Sequence, residues 1–413
     1  MKVAIIGGGA AGMSCAYLLD KKHEVSVFEK QPMLGGNIRT LNKNVSVENG
    51  KLEKGLFIDN GVIEFDRGNF DNFHKLMRDL KVELEEVGVS AGFHYANGKH
   101  IYTPSRINTI GLGPFQKMKE AAKLSKILFD YNSFMLKTGL KGEKAYHNKP
   151  FSYISRERVF FWWMRMILMY AYSIPYKDTN DIPIELGLSM QRSCLTYPTW
   201  NRVVGGTYAY IEKILENFEG KIRLKSAPKS VSRVNGGVEI VLESGEKESF
   251  DKVVFASPPH EVLRALSDPT EEEKKRFHAW KENKAQTVIH TDTGLFTKRK
   301  VDYFCADLIQ KKNGDAGYNA LLNNLSGIPH SEVKYSLAFN LEDELDPEKI
   351  IHIQKHSTPF YSNEAFKYRN EVIETNGENN TYHAGAYLGN GLHEGAICSA
   401  MRVSELLEGK KLT

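Results

Sequence analysis

The residues with the plainest chemical meaning stand at the start of the chain. Val3 to Ile6 is a continuous apolar, β-prone run, the pattern of a strand buried on both faces of a parallel sheet. It leads into Gly7-Gly8-Gly9-Ala10-Ala11-Gly12 and then into a helix-favouring stretch from Met13 to Leu19. A GxGxxG in that place binds the pyrophosphate of a dinucleotide. Gly7 permits the tight turn, Gly9 lets backbone approach the phosphates, Ala10 and Ala11 open the helix, and Gly12 lets the helix lie close to the strand. The helix N-terminus turns its free N–H groups toward the phosphates. A second strand, from Glu24, ends at Glu29, where an acid can hold ribose hydroxyls and disfavours the 2′-phosphate of NADP.

A further glycine pair decides which dinucleotide. In Glu29-Lys30-Gln31-Pro32-Met33-Leu34-Gly35-Gly36-Asn37-Ile38-Arg39-Thr40 the pair follows just after the acid, where simple nicotinamide dehydrogenases need none. This run resembles the flavin-dependent amine oxidase superfamily, whose GG turn lies along an extended FAD. The resemblance implies FAD as cofactor, with Lys30, Gly35, Gly36, Asn37 and Thr40 beside it. Phe57-Ile58-Asp59-Asn60-Gly61-Val62-Ile63-Glu64 resembles the same superfamily's DxG segment, which implies that Gly61, Val62 and Ile63 run close to the isoalloxazine. Further on, Trp200 to Thr207 resembles its GG segment before a helix, and Asp251 to Pro259 its strand returning under the cofactor. At Val231 the resemblance implies backbone pairing with adenine. Tyr382 to Ile397 resembles the closing motif, a strand ending in Ala384-Gly385, a glycine loop and then Glu394-Gly395-Ala396 at a helix start. That places Gly385, Ala386, His393, Glu394 and Ala396 at the flavin, where helix N–H groups stabilise negative charge on its reduced form.

Within the superfamily the sequence is similar to a bacterial group described only as predicted NAD/FAD-binding proteins, at Thr199 to Gly206, Ile289 to Thr293 and Gly385 to Glu394. Genes of that group often lie beside those for cyclopropane-fatty-acid-type lipid methyltransferases, which implies a lipid connection. Two departures stand against ordinary amine oxidation. Met33 and Asn37 occupy places where typical amine oxidases carry arginines, and Tyr387 is the one aromatic residue between Gly385 and Ile397, so no aromatic cage is visible there.

For proton transfer the candidate is His393, which abuts the flavin motif and has a side chain able to titrate near neutrality; a structural bond from its ring is the competing reading. Glu394 is expected to support its helix N-terminus, and Trp200 and Tyr387 are candidates for the substrate pocket. His290 and Asp292 lie on a polar strand that could enter the site or be satisfied within its sheet. Cys398 is expected to be buried and unreactive.

These residues need large elements to position them, and the chain has the material: 413 residues, 41% hydrophobic and 11% aromatic. The order of motifs makes both domains discontinuous, with 1–90, 200–260 and 376–413 forming the FAD-binding domain and 91–199 and 261–375 the substrate domain. The expected fold class is α/β, a Rossmann-like FAD-binding domain with an interleaved α+β substrate domain, amine oxidase-like. Lys plus Arg number 55 against 51 Asp plus Glu, too balanced for a dedicated nucleic-acid binder. Cys15, Cys194, Cys305 and Cys398 are too scattered for a metal site, and no metal is expected.

The N-terminus lacks the long apolar run of a signal peptide, so the expected location is cytoplasmic. Val159 to Tyr172 is the most apolar stretch but is short, contains Arg165 and runs into Pro175, which argues against a membrane span. It is expected either to be buried or to line a lipid-sized cavity or a surface-dipping entrance. Lys117, Lys119, Lys123 and Lys126 could meet anionic headgroups, so peripheral membrane contact is an expectation. The function expected is an FAD-dependent oxidoreductase moving a hydride from a hydrophobic, fatty-acyl or lipid substrate to flavin N5. The alternatives are an amine oxidase, a non-redox flavin-dependent isomerase, and a non-catalytic flavin-binding partner of a lipid-modifying enzyme.

Overall fold

The computed structural model describes residues 1–48, 50–141, 146–154, 159–188, 190, 199–299, 306–328 and 330–409; Cys194 and Cys305 lie outside them. The apolar run at the N-terminus forms the strand Lys2–Ile6, which is central in a five-stranded sheet ordered Thr381–His383, Lys252–Phe255, Lys2–Ile6, Glu24–Phe28, Lys221–Arg223. Every pairing in it is parallel. Neighbours on both sides and helices on the faces explain why Val3, Ala4 and Ile5 are all fully buried and why the sequence does not alternate. The helix Ala10–Leu19 leaves the C-terminal end of the central strand and packs on the closing helix His393–Leu407. Met13, Ala16, Val27, Val254, Ala400 and Val403 share the resulting core.

Glycine is obligatory where this helix meets its strand. A Cβ on Gly12 would stand 1.8 Å from the Gly7 carbonyl oxygen, and Gly7 itself has φ +109° with the Ala256 carbonyl alongside. The strand, turn, helix and second strand thus follow the sequence reading closely.

A second, seven-stranded sheet runs Ile350–Phe360, Lys281–His290, Ser336–Phe339, Ala316–Leu321, Ala306–Gln310, Ala91–His94, His100–Tyr102. All its pairs are antiparallel except Ala306–Gln310 with Ala91–His94. The sequence signals the stretches near Thr287 and Phe339 but not the long strand Ile350–Phe360. This is an edge strand in which the polar residues His352, Gln354, Lys355 and His356 follow Ile350 and Ile351 with Ile353 alone among them, and they dilute its apolar signal. A three-stranded antiparallel sheet, Pro228–Val234, Gly237–Leu242 and Lys247–Phe250, turns at Asn235 and Gly236, both with positive φ, as the Asn-Gly pair demands.

The apolar stretch folds as the helix Val159–Tyr172. It is buried: Phe160, Trp163, Met164, Met166, Ile167, Leu168 and Met169 all lie in the core. The surface-dipping reading of this segment is therefore corrected, because the long helix Pro114–Lys141 covers it with Phe134 and Tyr131 against Phe160. Among the described residues no helix is long and apolar enough to cross a membrane.

Candidate functional site

The two glycine turns meet. Gly35 N–H donates to the Gly8 carbonyl at 2.8 Å, Gly9 and Gly35 form a bridge, and a Cβ on Gly36 would come within 3.0 Å of Gly9 Cα. The result is a corner walled by backbone. It opens at the N-terminus of Ala10–Leu19, which has no capping side chain and no acid in its first turn. Arg39 follows the second turn, and its Nη1 is buried with no partner among the described residues. Burial pulls its pKa down and the nearby Glu29 carboxylate pushes it back up. Phosphate oxygens suit both the open helix end and the orphaned guanidinium nitrogen, so these residues fit a pyrophosphate.

Glu29 is buried at the strand end; its Oε2 accepts from Gly8 N–H and its Oε1 from Gln31 N–H, each at 2.8 Å. Each oxygen retains a second acceptor direction for a hydroxyl. Lys30 reaches outward to pair with Glu261. Ser226 N–H donates to the Glu29 carbonyl at 2.9 Å, which brings the start of the Pro228–Val234 strand to the same end. There the reading of Val231 needs correction. Its carbonyl already accepts from Ser267 N–H at 2.9 Å and Ser267 Oγ at 3.0 Å, which fills both lone pairs. Pairing instead skips Lys229, where a register shift between Pro228 and Ser230 leaves backbone outside the ladder.

The DxG segment is held by its acid. Asp59 accepts from Thr207 N–H at 2.9 Å and Thr207 Oγ1 at 2.9 Å, and from the Thr40 hydroxyl. It thereby ties together three separate turns. Burial raises its pKa to about 6, and these hydrogen bonds oppose the rise. Thr40 is fully buried with its hydroxyl between Asp59 and Tyr208 N–H, so it positions the turn and does not face a ligand. Val62 contributes its carbonyl to Thr207 Oγ1 at 3.0 Å, Ile63 is half-buried beside it, and Asn37 Nδ2 reaches the Ser357 carbonyl at 3.3 Å. Gly61 has φ +143° and would place a Cβ 3.2 Å from His356 Cε1. Here Asn60 and His356 share the Thr287 hydroxyl, and Asn60 Nδ2 is a second buried donor with no partner among the described residues. Burial and the charge of Arg39 lower His356 to a pKa of about 4.

At the opposite end lies the closing loop. Gly385 N–H donates to Ser399 Oγ at 2.8 Å, Ala386 accepts from Gly389 and Gly391 N–H, and Ala396 is buried in the first turn of the helix. His393 is not placed for proton transfer. Its Nε2 shares a 2.8 Å hydrogen bond with Tyr210 Oη, and Phe65, Phe73 and Tyr210 stand edge-on around it at 5.6 Å. Burial lowers its pKa to about 4, so the ring is neutral at pH 7. Glu394 supports a helix N-terminus, but another helix's: its carboxylate accepts from Asn72 N–H and Phe73 N–H, both at 2.9 Å, capping Asp71–Asp79. Cys398 is half-buried beside it, its thiol pushed up to about 11.

The His393→Ala variant should therefore keep its rate of flavin reduction within about threefold while losing about 2–4 kcal/mol of stability from the ring contacts and hydrogen bond. A denaturant melt with a single-turnover assay separates the two roles; a rate loss of a hundredfold at full flavin content would restore His393 to the chemistry. The sign of the pH effect follows. A histidine held below its ordinary pKa stabilises the fold while neutral, so stability at pH 7 is lost as pH falls from about 6.5 toward 4.

Aromatic residues do surround the closing loop, from parts of the chain that the motif does not contain. Tyr172 Oη donates to the Asn390 carbonyl at 2.9 Å and Tyr361 Oη to the Gly391 carbonyl at 3.0 Å. Trp280 stands edge-on to Tyr361 and to Tyr387, with centroids 6.0 and 5.2 Å apart. Tyr387 is buried and its hydroxyl has no partner among the described residues. Trp200 is buried in the strand Thr199–Val203 opposite Val87, its indole N–H likewise orphaned. His290 is satisfied within the second sheet, bonding Asn319 at 2.8 Å, and Asp292, just past the end of its strand, accepts from Gly294 and Asp346 N–H.

The residue that sequence reasoning missed is Glu64. Tyr170 Oη donates to its Oε1 at 2.8 Å, while Oε2 is buried with no partner among the described residues. Burial drives its pKa up to about 7, with a further push from Asp66. Tyr318 packs edge-on against Tyr170 at 4.9 Å and bonds Ser173. An acid inside the apolar run Val62-Ile63-Glu64-Phe65 was the available signal.

The sequence profile of the flavin-containing amine oxidoreductases matches residues 10–291, more than half of the chain. The chain belongs to that family. FAD is its cofactor and it is an oxidoreductase. Zeta-carotene desaturase (chloroplastic/chromoplastic) of Zea mays is 38% identical over 81 residues, 19% of this chain and 12% of that protein; the chain thus matches only a small part of the length of such relatives. Among solved structures, a redesigned putrescine oxidase superposes with a TM-score of 0.69 at 12% identity, covering 99% of this chain and 98% of its own. A CLA-producing fatty acid isomerase from P. acnes superposes at 0.66 with 16% identity, covering 99% and 98%. These likenesses show the shared α/β fold. For a flavin-containing amine oxidoreductase, the glycine corner, Arg39 and Asn60 offer the donors that an extended FAD needs.

Proposed function

We propose that this chain dehydrogenates a hydrophobic, acyl-chain substrate, taking a hydride from one carbon and a proton from its neighbour. The observation that carries the reading is the Glu64 carboxyl, one oxygen fixed by Tyr170 and the other buried without a partner. Forming a C=C bond releases a proton as well as a hydride, and an amine route gives such a base less to do. When bound, FAD supplies the hydride acceptor at N5. Arg39, the corner glycines and the Ala10–Leu19 N-terminus would hold its pyrophosphate, Glu29 the ribose, and the unpaired backbone at Lys229 the adenine. Asn60 Nδ2, buried without a partner among the described residues, and the N-terminus of His393–Leu407 would supply donors to the flavin ring. Glu64 Oε2 takes the substrate proton, and a pKa of about 7 leaves a base available at neutral pH. Tyr170 keeps the carboxyl aimed.

The likeness to a desaturase over 81 residues and the buried apolar helix Val159–Tyr172 support an apolar substrate. The experiment is product analysis of the FAD-loaded enzyme in air with fatty acids, acyl lipids and aliphatic amines. An acyl product two hydrogens lighter is expected. A product of unchanged mass with a shifted double bond would replace this reading with an isomerase, and an aldehyde from an amine would replace it with an amine oxidase.

A further inference from the structure

We propose that the helix Pro114–Lys141 is a docking face for anionic lipid bilayers. Phe115, Met118, Phe129 and Leu136 on it are 75%, 63%, 74% and 67% exposed, the largest such group among the described residues. At 100° per residue these four, with exposed Ala122, fall within about 60° of the helix circumference. They make one stripe about 30 Å long. The opposite side is the packed one, with Leu124, Ile127 and Phe134 buried. Exposed large apolar residues arranged in a line, on a helix whose inner face is already satisfied, mark an interaction surface.

Charge selects the partner. The helix carries Lys117, Lys119, Lys123, Lys126, Lys137 and Lys141 against Glu120 and Asp130 alone, and Glu120 is turned inward to pair with Lys123. Lys119, Lys126 and Lys137 are exposed along one flank of the stripe. An apolar stripe flanked by lysines is the arrangement that lies in a headgroup layer, the apolar side chains entering the acyl boundary and the ammonium groups meeting phosphates. A second copy packed face to face would set the same excess of lysines against itself, which disfavours a homodimer at this face. The sequence expectation of peripheral contact named the lysines; the apolar partner of those lysines is the outer side of this helix and not Val159–Tyr172.

The test is flotation of the full-length protein with vesicles of phosphatidylglycerol and phosphatidylcholine, compared with phosphatidylcholine alone, at low salt. Binding to the anionic vesicles is expected, falling about tenfold or more on neutral ones and again in high salt. Phe115→Ser with Phe129→Ser, and separately Lys119→Glu with Lys126→Glu, should each reduce bound protein about tenfold, with melting temperature and flavin content retained because these side chains are exposed. No binding of the wild type to anionic vesicles would overturn the proposal, as would both variants floating like wild type. A wild-type dimer in solution that the Phe variant dissolves, with no vesicle binding, would assign the face to a second copy instead.

Discussion

The Gly12→Val protein is expected to carry no FAD, whether as purified or after reconstitution. A Cβ at this position meets the Gly7 carbonyl oxygen at 1.8 Å, far inside contact distance, and both groups are backbone. The helix must move away from its strand, which opens the turn between Gly7 and Gly9 and withdraws the N–H groups that face the phosphates. The cost exceeds that of an ordinary core substitution, and part of the protein should be insoluble. Gly36→Ala provides the milder companion. Gly36 has φ +59° and a Cβ there would lie 3.0 Å from Gly9 Cα, so the cost is about 1–2 kcal/mol from backbone conformation plus a small separation of the two turns. This variant should fold and bind FAD about tenfold or more weakly by fluorescence titration. Wild-type affinity in Gly36→Ala would show that the corner is not where the pyrophosphate lies.

Glu64→Gln is expected to slow flavin reduction about a hundredfold or more at unchanged flavin content, the usual scale for loss of a positioned base. Tyr170→Phe should cost less and shift the pH profile, because it removes the hydrogen bond that favours the charged carboxylate. A stability measurement checks the same carboxyl without turnover. Its pKa in the folded protein is about 7 against an ordinary 4.5, so the folded state holds the proton more tightly. Stability therefore falls as pH rises from 4.5 to 7, by an amount on the order of 3 kcal/mol. Glu64→Gln should melt like wild type at pH 5 and at a higher temperature at pH 8. Identical melting curves at both would mean that the carboxyl is not buried as described.

How far the sequence could be read depended on the kind of constraint. Gly7, Gly12, Gly35 and Gly36 announce themselves because only the lack of a Cβ allows the backbone contacts they make, and that property is written in the residue type. The Asn235-Gly236 turn is legible for the same reason. What depends on distant partners was hidden. Nothing local tells that Glu394 caps the helix at Asn72 and Phe73, more than three hundred residues away, or that Tyr172, Trp280 and Tyr361 gather around the closing loop. His393 is a candidate in the sequence because its neighbours there belong to a flavin motif, and what favours the structural reading is its neighbours in space, Phe65, Phe73 and Tyr210. A bulge separates Val231 from the free backbone, since one unpaired residue at Lys229 changes which backbone group is available. The helix Pro114–Lys141 was recognised, but which of its sides packs inward is decided by Phe160 and its surroundings.

The most direct test of the proposed function is anaerobic mixing of the FAD-loaded enzyme with acyl lipids and with aliphatic amines while the visible flavin band is followed. Bleaching by an acyl-chain substrate, slowed about a hundredfold in Glu64→Gln, is the predicted result. Bleaching by amines alone, or by acyl chains at the same rate in both proteins, would contradict it.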